Sequence, residues 1–367
     1  MTSVHPWDDT RIFRKMCRWL VVAGHEVHLV AANGPKESRP EVDGVHLHLL
    51  PTRVGRLRRM TGTSWAVFKK ALRLEGDVNQ FHDPELLPHG MLMAAMGRRV
   101  VYDAHEDAPR DLLIRDYLPR PMRCAASIGI ALTEWMGSRF FYNGIVTATP
   151  HIGKRFPKHK TRVVHNYAAL KPTEEDQLAD YSERLPHFAF VGAMSWGRGT
   201  EEMVRAIGKV KDIKARLVLA GPRVFFGRTE SGPEHLPGWE RVLERGVVPA
   251  AEAVEIYQST RAGLVLFLPG PNHDDALPNK LFEYMAAGLP IIASDIPLWR
   301  SLVEEARCGL LVNPRDVDAV AHAMDWMLEH PEEAAEMGRR GARMARERYN
   351  WDSEARRLEQ LYQEVAN

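Results

Sequence analysis

Cysteine is scarce in this chain of 367 residues: Cys17, Cys124 and Cys308 lie far apart and form neither a CxxC pair nor a paired framework. That excludes a disulfide-stapled scaffold and favours reduced, buried thiols in a cytoplasmic protein. A long apolar run is missing as well. The nearest candidate, Cys124 to Met136 (CAASIGIALTEWM), is interrupted by Glu134 and falls short of the roughly 18 residues that a spanning helix needs. The N-terminus, Met-Thr-Ser-Val-His-Pro, has no basic stretch leading into an apolar one, so no signal peptide is read there. Net charge is nearly absent, with 49 Lys+Arg against 48 Asp+Glu. A nucleic-acid binder working by bulk charge is therefore excluded, and no basic motif interleaved with aromatics suggests RNA.

What is present begins with size. An apolar fraction of 45% over 367 residues is more core than one domain usually holds, so two domains are expected. The neutral total hides a split: Met1 to Leu170 holds 25 basic and 16 acidic residues, and Lys171 to Asn367 holds 24 basic and 32 acidic. A basic half joined to an acidic half suggests two separate jobs. Short β-branched runs alternate with helix-length amphipathic segments in both halves. In the first, Met1 to Val4 reads as the end of a strand, Arg11 to Val22 as a helix stopped by Gly24, and Glu26 to Ala31, Val45 to Leu50, Val78 to Phe81, Arg99 to Asp103 and Gly144 to Ala148 as strands. The segment 171–186 (KPTEEDQLADYSERLP) is polar, acidic and bracketed by prolines, which marks a linker. The pattern predicts an α/β protein of two doubly wound Rossmann-like domains, 1–170 and 187–350, facing a central cleft, with a final amphipathic helix over 351–367.

Four places combine polar groups with a strand end or a helix start. The first is His82-Asp83-Pro84, where Asp83 is expected to cap the following helix and His82 sits at a strand's carboxyl end; a mere cap and turn is the competing reading. The second is Asp103 to Asp107, including His105 and Glu106, where crowded acids suggest solvent exposure. The third, Phe190 to Glu201, is a strand running into a loop with Gly192, Gly197, Gly199 and Arg198, with Thr200 able to cap the next helix. Such a loop lets backbone N–H groups and an arginine approach a phosphate, although its spacing is neither GxGxxG nor GxxxxGK[ST]. The fourth, Asp274 to Asp295, opens a short apolar helix at Pro278-Asn279 and places Lys280 and Glu283 three residues apart. A surface ion pair is the plain reading; an anionic ligand with hydroxyls would satisfy both groups if they are buried.

On the run PNKLFEYMAAGLPIIASD (Pro278 to Asp295), supported by TSVHPWDDTRIFRK, HDPELLPHG, VVYDAHED, TATP, VVHNY, FVGAMSWGRG and YNW, the chain resembles the retaining nucleotide-sugar glycosyltransferases of the GT-B fold, family 4, in the branch of bacterial polysaccharide and glycolipid assembly. The likeness runs through nearly the whole sequence. It implies that Glu283 is the second acid of an E-x7-E motif that bonds the donor's ribose hydroxyls, with Asp275 in place of the first acid. Lys280 and Arg198 match cations that hold the diphosphate, and Gly192, Gly197 and Asn279 belong to the same donor site. Ala193 stands where many members have arginine. His82 matches a histidine beside the donor sugar, and His5, Asp8, Asp9, His105 and Glu106 fall on the acceptor side. The likeness also leads to the expectation of a few more apolar residues ahead of Thr2, so that either the start is set too late or the first strand is unusually short.

The resemblance implies transfer of a hexose from a UDP- or GDP-sugar to a glycan or lipid-linked acceptor, with retention and without a cofactor. No metal is expected, since no DxD stands in a suitable loop and no HxxxH occurs. An epimerase or hydrolase of the same fold, and a non-catalytic sugar-nucleotide-binding protein, are the competing readings. The final helix is expected to return to the first domain. Arg53, Arg56, Arg58, Arg59, Lys69, Lys70 and Arg73, with Arg115, Arg120 and Arg123 ahead of the apolar Cys124 to Met136, suggest contact with an anionic membrane surface; a solvated basic face over a packed helix accounts for them equally well.

Overall fold

The computed structural model describes residues 1–32, 40–51, 59–114, 119–169, 180–225, 232–270 and 273–367. Arg53, Arg56, Arg58, Arg115 and positions 171–179 of the expected linker lie outside them. The chain divides into two compact units, Met1–Asn166 with Trp351–Asn367, and Tyr167–Asn350.

In the first unit a helical segment, Thr10–Cys17, continues as α1 (Arg18–Val22) and ends before Gly24, whose φ of 89° suits a residue without a side chain. Strand β1 (Val27–Ala32) pairs in parallel with β3 (Val45–Leu50), and β2 (Glu41–Val42) lies antiparallel on the outer edge of β3. After α2 (Ser64–Arg73), a second sheet runs β4 (Asn79–Phe81), β5 (Val100–Ala104), β6 (Gly144–Thr147) and β7 (Thr161–Val163), all parallel. Between these strands stand α3 (Leu87–Ala95), α4 (Ala108–Ile114) and α5 (Arg120–Met136). β5 is buried along its whole length, as a strand covered on both faces must be. The C-terminal helix, Trp351–Ala366, puts Leu358, Leu361 and Val365 against Val101 and Val146 of this sheet.

The two sheets meet at a single rung. Thr2 donates its N–H to the Val30 carbonyl at 2.9 Å and accepts from Ala32 N–H at 3.2 Å, while the Met1 ammonium donates to the Gln80 carbonyl at 2.6 Å. The end-of-strand reading for Met1 to Val4 thus reduces to one bridge, Thr2 to Ala31. Burial depresses the pKa of that ammonium. Beside the rung lies a cavity of about 460 Å³, lined by Val27, Leu29 and Asn79 of the facing edges, by Leu20 and Tyr362, and by Leu74 at the end of α2.

The second unit is a six-stranded sheet, all parallel, ordered β10-β9-β8-β11-β12-β13. Its strands are β8 (His187–Val191), β9 (Arg216–Ala220), β10 (Val242–Gly246), β11 (Ala262–Val265), β12 (Ile291–Ser294) and β13 (Gly309–Val312). The helices are α6 (Thr200–Lys209), α7 (Ala250–Ser259), α8 (Asn279–Ala286), α9 (Pro297–Ala306), α10 (Val317–Glu329) and α11 (Pro331–Glu347). The chain winds outward from β8 through β9 to β10, then restarts at β11 and winds the other way. The loops leaving β8 and β11 therefore diverge at the topological switch point, where doubly wound sheets bind ligands.

Four apolar residues fused ahead of Met1 are expected to enter the cavity as an extended strand between β1 and β4 and to raise the thermal midpoint by several degrees, whereas four serines are not. Scanning calorimetry of the two fusions checks this. Equal midpoints would show that the cavity does not accept a strand.

Candidate functional site

In the second unit the loops after β8 and β11 gather the groups singled out in the third and fourth sequence segments. A β-carbon on Gly192 would lie 3.4 Å from Lys280 Cε and 3.9 Å from Arg198 Nη1, so both cations flank that glycine at the end of β8. The Arg198 guanidinium donates to the Ala193 carbonyl at 3.1 Å and stacks 5.5 Å from the centroid of the Phe267 ring. Burial lowers its pKa, and among the described residues no carboxylate pairs with it. A partly desolvated guanidinium without a carboxylate is suited to an anion. Lys280, in the first turn of α8, bonds Glu283 Oε2 at 2.5 Å, and the Tyr257 hydroxyl donates to the same oxygen at 2.9 Å. Both charged side chains are about one-fifth exposed, so the pair is neither a surface bridge nor a sealed one. Asn279 begins the same helix, and Asp275 is half-buried ahead of it.

Local backbone geometry makes this convergence possible. Gly199 adopts φ 74° as the N-cap of α6, and a β-carbon there would come within 2.0 Å of the Leu266 carbonyl oxygen. Thr200 does not cap the helix as expected: its hydroxyl instead donates to Ser195 O at 3.0 Å and accepts from Ser195 N at 3.1 Å, closing the loop. Gly197 accepts from Leu268 N–H at 2.9 Å, and His273, bonded to the Leu268 carbonyl at 2.7 Å, lies beside it. Tyr257, Phe267 and His273 carried no sequence signal, because they lie outside the segments rich in glycine and charge and meet the site only through the fold.

In the first unit two buried aspartates organise the polar groups, and both depart from expectation. Asp83 makes no cap bond to the turn that follows it. Its carboxylate turns back and accepts from Ser3 N at 2.5 Å, Thr2 Oγ1 at 2.8 Å and Val4 N at 3.2 Å, and it pairs with His5 Nδ1 at 2.7 Å. Asp103, expected to be solvated, is fully buried. Arg11 grips both its oxygens at 2.9 Å, and His82 Nδ1 lies 2.9 Å from one of them. Burial of a carboxylate is tolerable with that many partners. The His105 ring lies 5.1 Å from His5 and 6.1 Å from His82. Asp9 spends one carboxylate oxygen capping the first helical segment, through Arg11 N and Ile12 N at 2.8 and 2.9 Å, while Asp8 faces Arg14 at 3.8 Å. Among the described residues two sets, His5 with His105 and Glu106, and His82 with Asp103 and His105, bring possible metal-ligand atoms within 4.8 Å of one another. Short sequence motifs could not show them, since the fold assembles them from separate loops.

The two histidines facing these aspartates titrate in opposite directions. Burial opposes protonation of His5, but the Asp83 bond and charge outweigh it and hold its pKa at about 9. Asp83 is itself kept well below the usual carboxylate range: burial would raise it, and the His5, Ser3 and Thr2 bonds overcome that. For His82 burial wins, and its pKa falls to about 4 despite the bond to Asp103. The difference lies in burial, which is deeper for His82, with the N-terminal ammonium and His105 adding to the cost of charging it.

Comparison with known proteins bears on this arrangement. Residues 10–168 match the family described as Glycosyltransferase Family 4, and residues 185–330 match Glycosyl transferases group 1. The chain belongs to the family 4 glycosyltransferases of the GT-B fold and is a glycosyltransferase. It is 28% identical to the D-rhamnosyltransferase WbpZ of Pseudomonas aeruginosa over 295 residues, 76% of this chain and 72% of that protein. It is also 28% identical to a D-inositol 3-phosphate glycosyltransferase of Corynebacterium urealyticum, across 48% of this chain and 42% of that one. Among solved structures, sucrose-phosphate synthase from Thermosynechococcus elongatus superposes with a TM-score of 0.70 at 18% identity, covering 95% of this chain and 91% of that one. Anabaena HepE, solved with UDP-glucose, gives 0.66 at 14% identity over 90% of each chain. These likenesses show the fold.

Two outcomes follow from the site. Gly199→Ala is expected to destabilise the second unit by about 2 kcal/mol or more, because it adds a clash to a left-handed backbone; Gly197→Ala, whose added carbon would touch only His273 at 3.5 Å, serves as the tolerated control in denaturant titration. By NMR, His5 is expected to titrate near pH 9 and His82 to stay neutral down to about pH 4. With both at 6.5 when unfolded, His5 adds stability that is complete below about pH 6.5 and is lost as pH climbs through about 9. His82 costs stability as pH falls from 6.5 toward 4, since the unfolded chain takes up the proton first. A His5 midpoint near 6.5 would overturn the assignment.

Proposed function

We propose that this glycosyltransferase moves a hexose from a UDP- or GDP-sugar to a glycan or lipid-linked acceptor, with retention of anomeric configuration and without a metal. The observation that carries the reading is the approach of Arg198 and Lys280 to Gly192, with Glu283 beside them. A departing nucleoside diphosphate gathers negative charge on its phosphate oxygens as the bond to the sugar's anomeric carbon breaks. Two fixed cations and the uncapped first turn of α8 would stabilise that charge. Lys280 pairs with Glu283; on donor binding the diphosphate would take Lys280, and Glu283, an acceptor-only group, would receive the ribose hydroxyls. Asp275 is proposed to contact the sugar's hydroxyls, and Gly192, Gly197 and Asn279 to leave room and N–H donors for the phosphates.

In retention by front-face attack, the acceptor hydroxyl forms the new bond on the face the diphosphate leaves, and its proton passes to the departing phosphate oxygen. A neutral His82 suits a hydrogen-bonding role toward the sugar better than that of a fixed cation. His5, Asp8, Asp9, His105 and Glu106 are proposed for the acceptor side. The structure of HepE with UDP-glucose supports a nucleotide-linked donor, and no resident cofactor is proposed. A cytoplasmic place, where nucleotide sugars are made, fits this reading.

Donor turnover with candidate acceptors tests it. Lys280→Ala and Glu283→Ala are each expected to lower kcat/KM by about 100-fold or more; wild-type activity in both would refute the site. Nucleotide release at full rate without acceptor would favour a hydrolase instead, and donor binding without turnover across the acceptor panel would favour a non-catalytic binder.

A further inference from the structure

Helix α5 is built inside out. Glu134 is 1% exposed and Ser127 is buried, while Ile128 and Leu132 are 60% and 61% exposed. The polar side is locked in place: Ser127 Oγ donates to the Pro109 carbonyl at 2.8 Å, the Tyr102 hydroxyl donates to Glu134 at 2.8 Å, and Arg155 pairs with the other Glu134 oxygen. Rotating the helix to bury its apolar side would strip a buried carboxylate of its partners, so the apolar side is held outward.

That side is a continuous stripe. Ile128, Leu132, Trp135 and Met136 follow one another at helical spacing, and Phe140 continues the line in the segment after the helix. Its charges are of one sign. Arg120, exposed, stands at its start, and Arg139, exposed at its end, lies over the Trp135 ring at 4.9 Å. From Arg120 to Phe141 the only acidic residue is Glu134, which faces inward. A second copy of the chain would set arginines against arginines, whereas an anionic lipid surface matches both the apolar stripe and the cations.

We propose that α5 lies in the plane of an anionic membrane surface, with Ile128, Leu132 and Phe140 among the upper acyl chains, Trp135 at headgroup level and Arg120 and Arg139 on lipid phosphates. Among the described residues no helix is long and apolar enough to cross a membrane, and at 17 residues α5 would extend about 25 Å along the surface. The proposal goes beyond the donor site, and its test uses neither donor nor acceptor, so either can fail without the other.

Cys124 provides the probe, because it is exposed on α5 while Cys17 and Cys308 are buried. The full chain, labelled there with an environment-sensitive fluorophore, is mixed with vesicles of phosphatidylcholine alone or of equal parts phosphatidylcholine and phosphatidylglycerol. Binding by sedimentation is expected to be at least about tenfold stronger to the anionic vesicles at low salt and to weaken as salt rises. The fluorophore should shift to the blue and become shielded from an aqueous quencher. Ile128→Ser with Leu132→Ser should cut binding by about tenfold or more to both kinds of vesicle, and Arg120→Gln with Arg139→Gln should remove the anionic preference; unchanged melting curves confirm folding, as these side chains are exposed. No sedimentation with anionic vesicles at low salt, or sedimentation indifferent to the serine pair, overturns the proposal. So does a blue shift that depends on protein concentration alone, which would mark the face as a contact between copies.

Discussion

The buried carboxylate of Asp103 is the constraint around which the first unit is arranged. It stands at the end of β5 and has no access to water, so its charge must be met by the protein. Arg11 meets it with two hydrogen bonds and also donates to the Val164 carbonyl at 3.2 Å, which ties the first helical segment to the chain leaving β7. His82 bonds the same carboxylate but stays neutral, because its burial outweighs that bond. Asp83, twenty residues earlier, pairs with His5, which is less buried and takes the charge. A difference in burial thus gives two histidines of different charge state in neighbouring loops.

The second unit relies on a different device, absent side chains. Gly199 and Gly221 sit where a β-carbon would press on the Leu266 carbonyl at 2.0 Å or on the Gly192 carbonyl at 2.1 Å. Their smallness lets the loops after β8, β9 and β11 come close enough for Arg198, Lys280 and Glu283, far apart in sequence, to share one region. The unit's net negative charge therefore says little about its ligand. Two local cations, one partly desolvated over Phe267 and one held by Glu283, set the field where an anion would bind.

Much of the fold was legible in the sequence. Strand β3 falls on the residues expected, and the other strands expected in the first half fall within two residues of place, β5 and β6 because parallel strands buried on both faces are largely apolar segments. The exception is the first: Met1 and Thr2 make a single rung, since the residues that follow turn away to surround Asp83. The segments at strand ends were legible too, as glycine and charge clusters. Their internal bonding was not. Asp83 and Thr200 stand where local rules expect helix caps, and both bond backwards to residues that only the tertiary fold brings near.

The sequence by itself determined the α/β class, the family and the segments that carry polar chemistry, because each of these is written in local periodicity or in a contiguous motif such as Pro278 to Asp295. Tertiary structure alone decided which acids are buried, which histidine is charged and which side of α5 faces outward. Apolar spacing shows that a helix has two sides, but not which one the protein covers. For α5 that was settled by Tyr102 and Arg155, distant residues that capture Glu134 and leave the apolar stripe exposed.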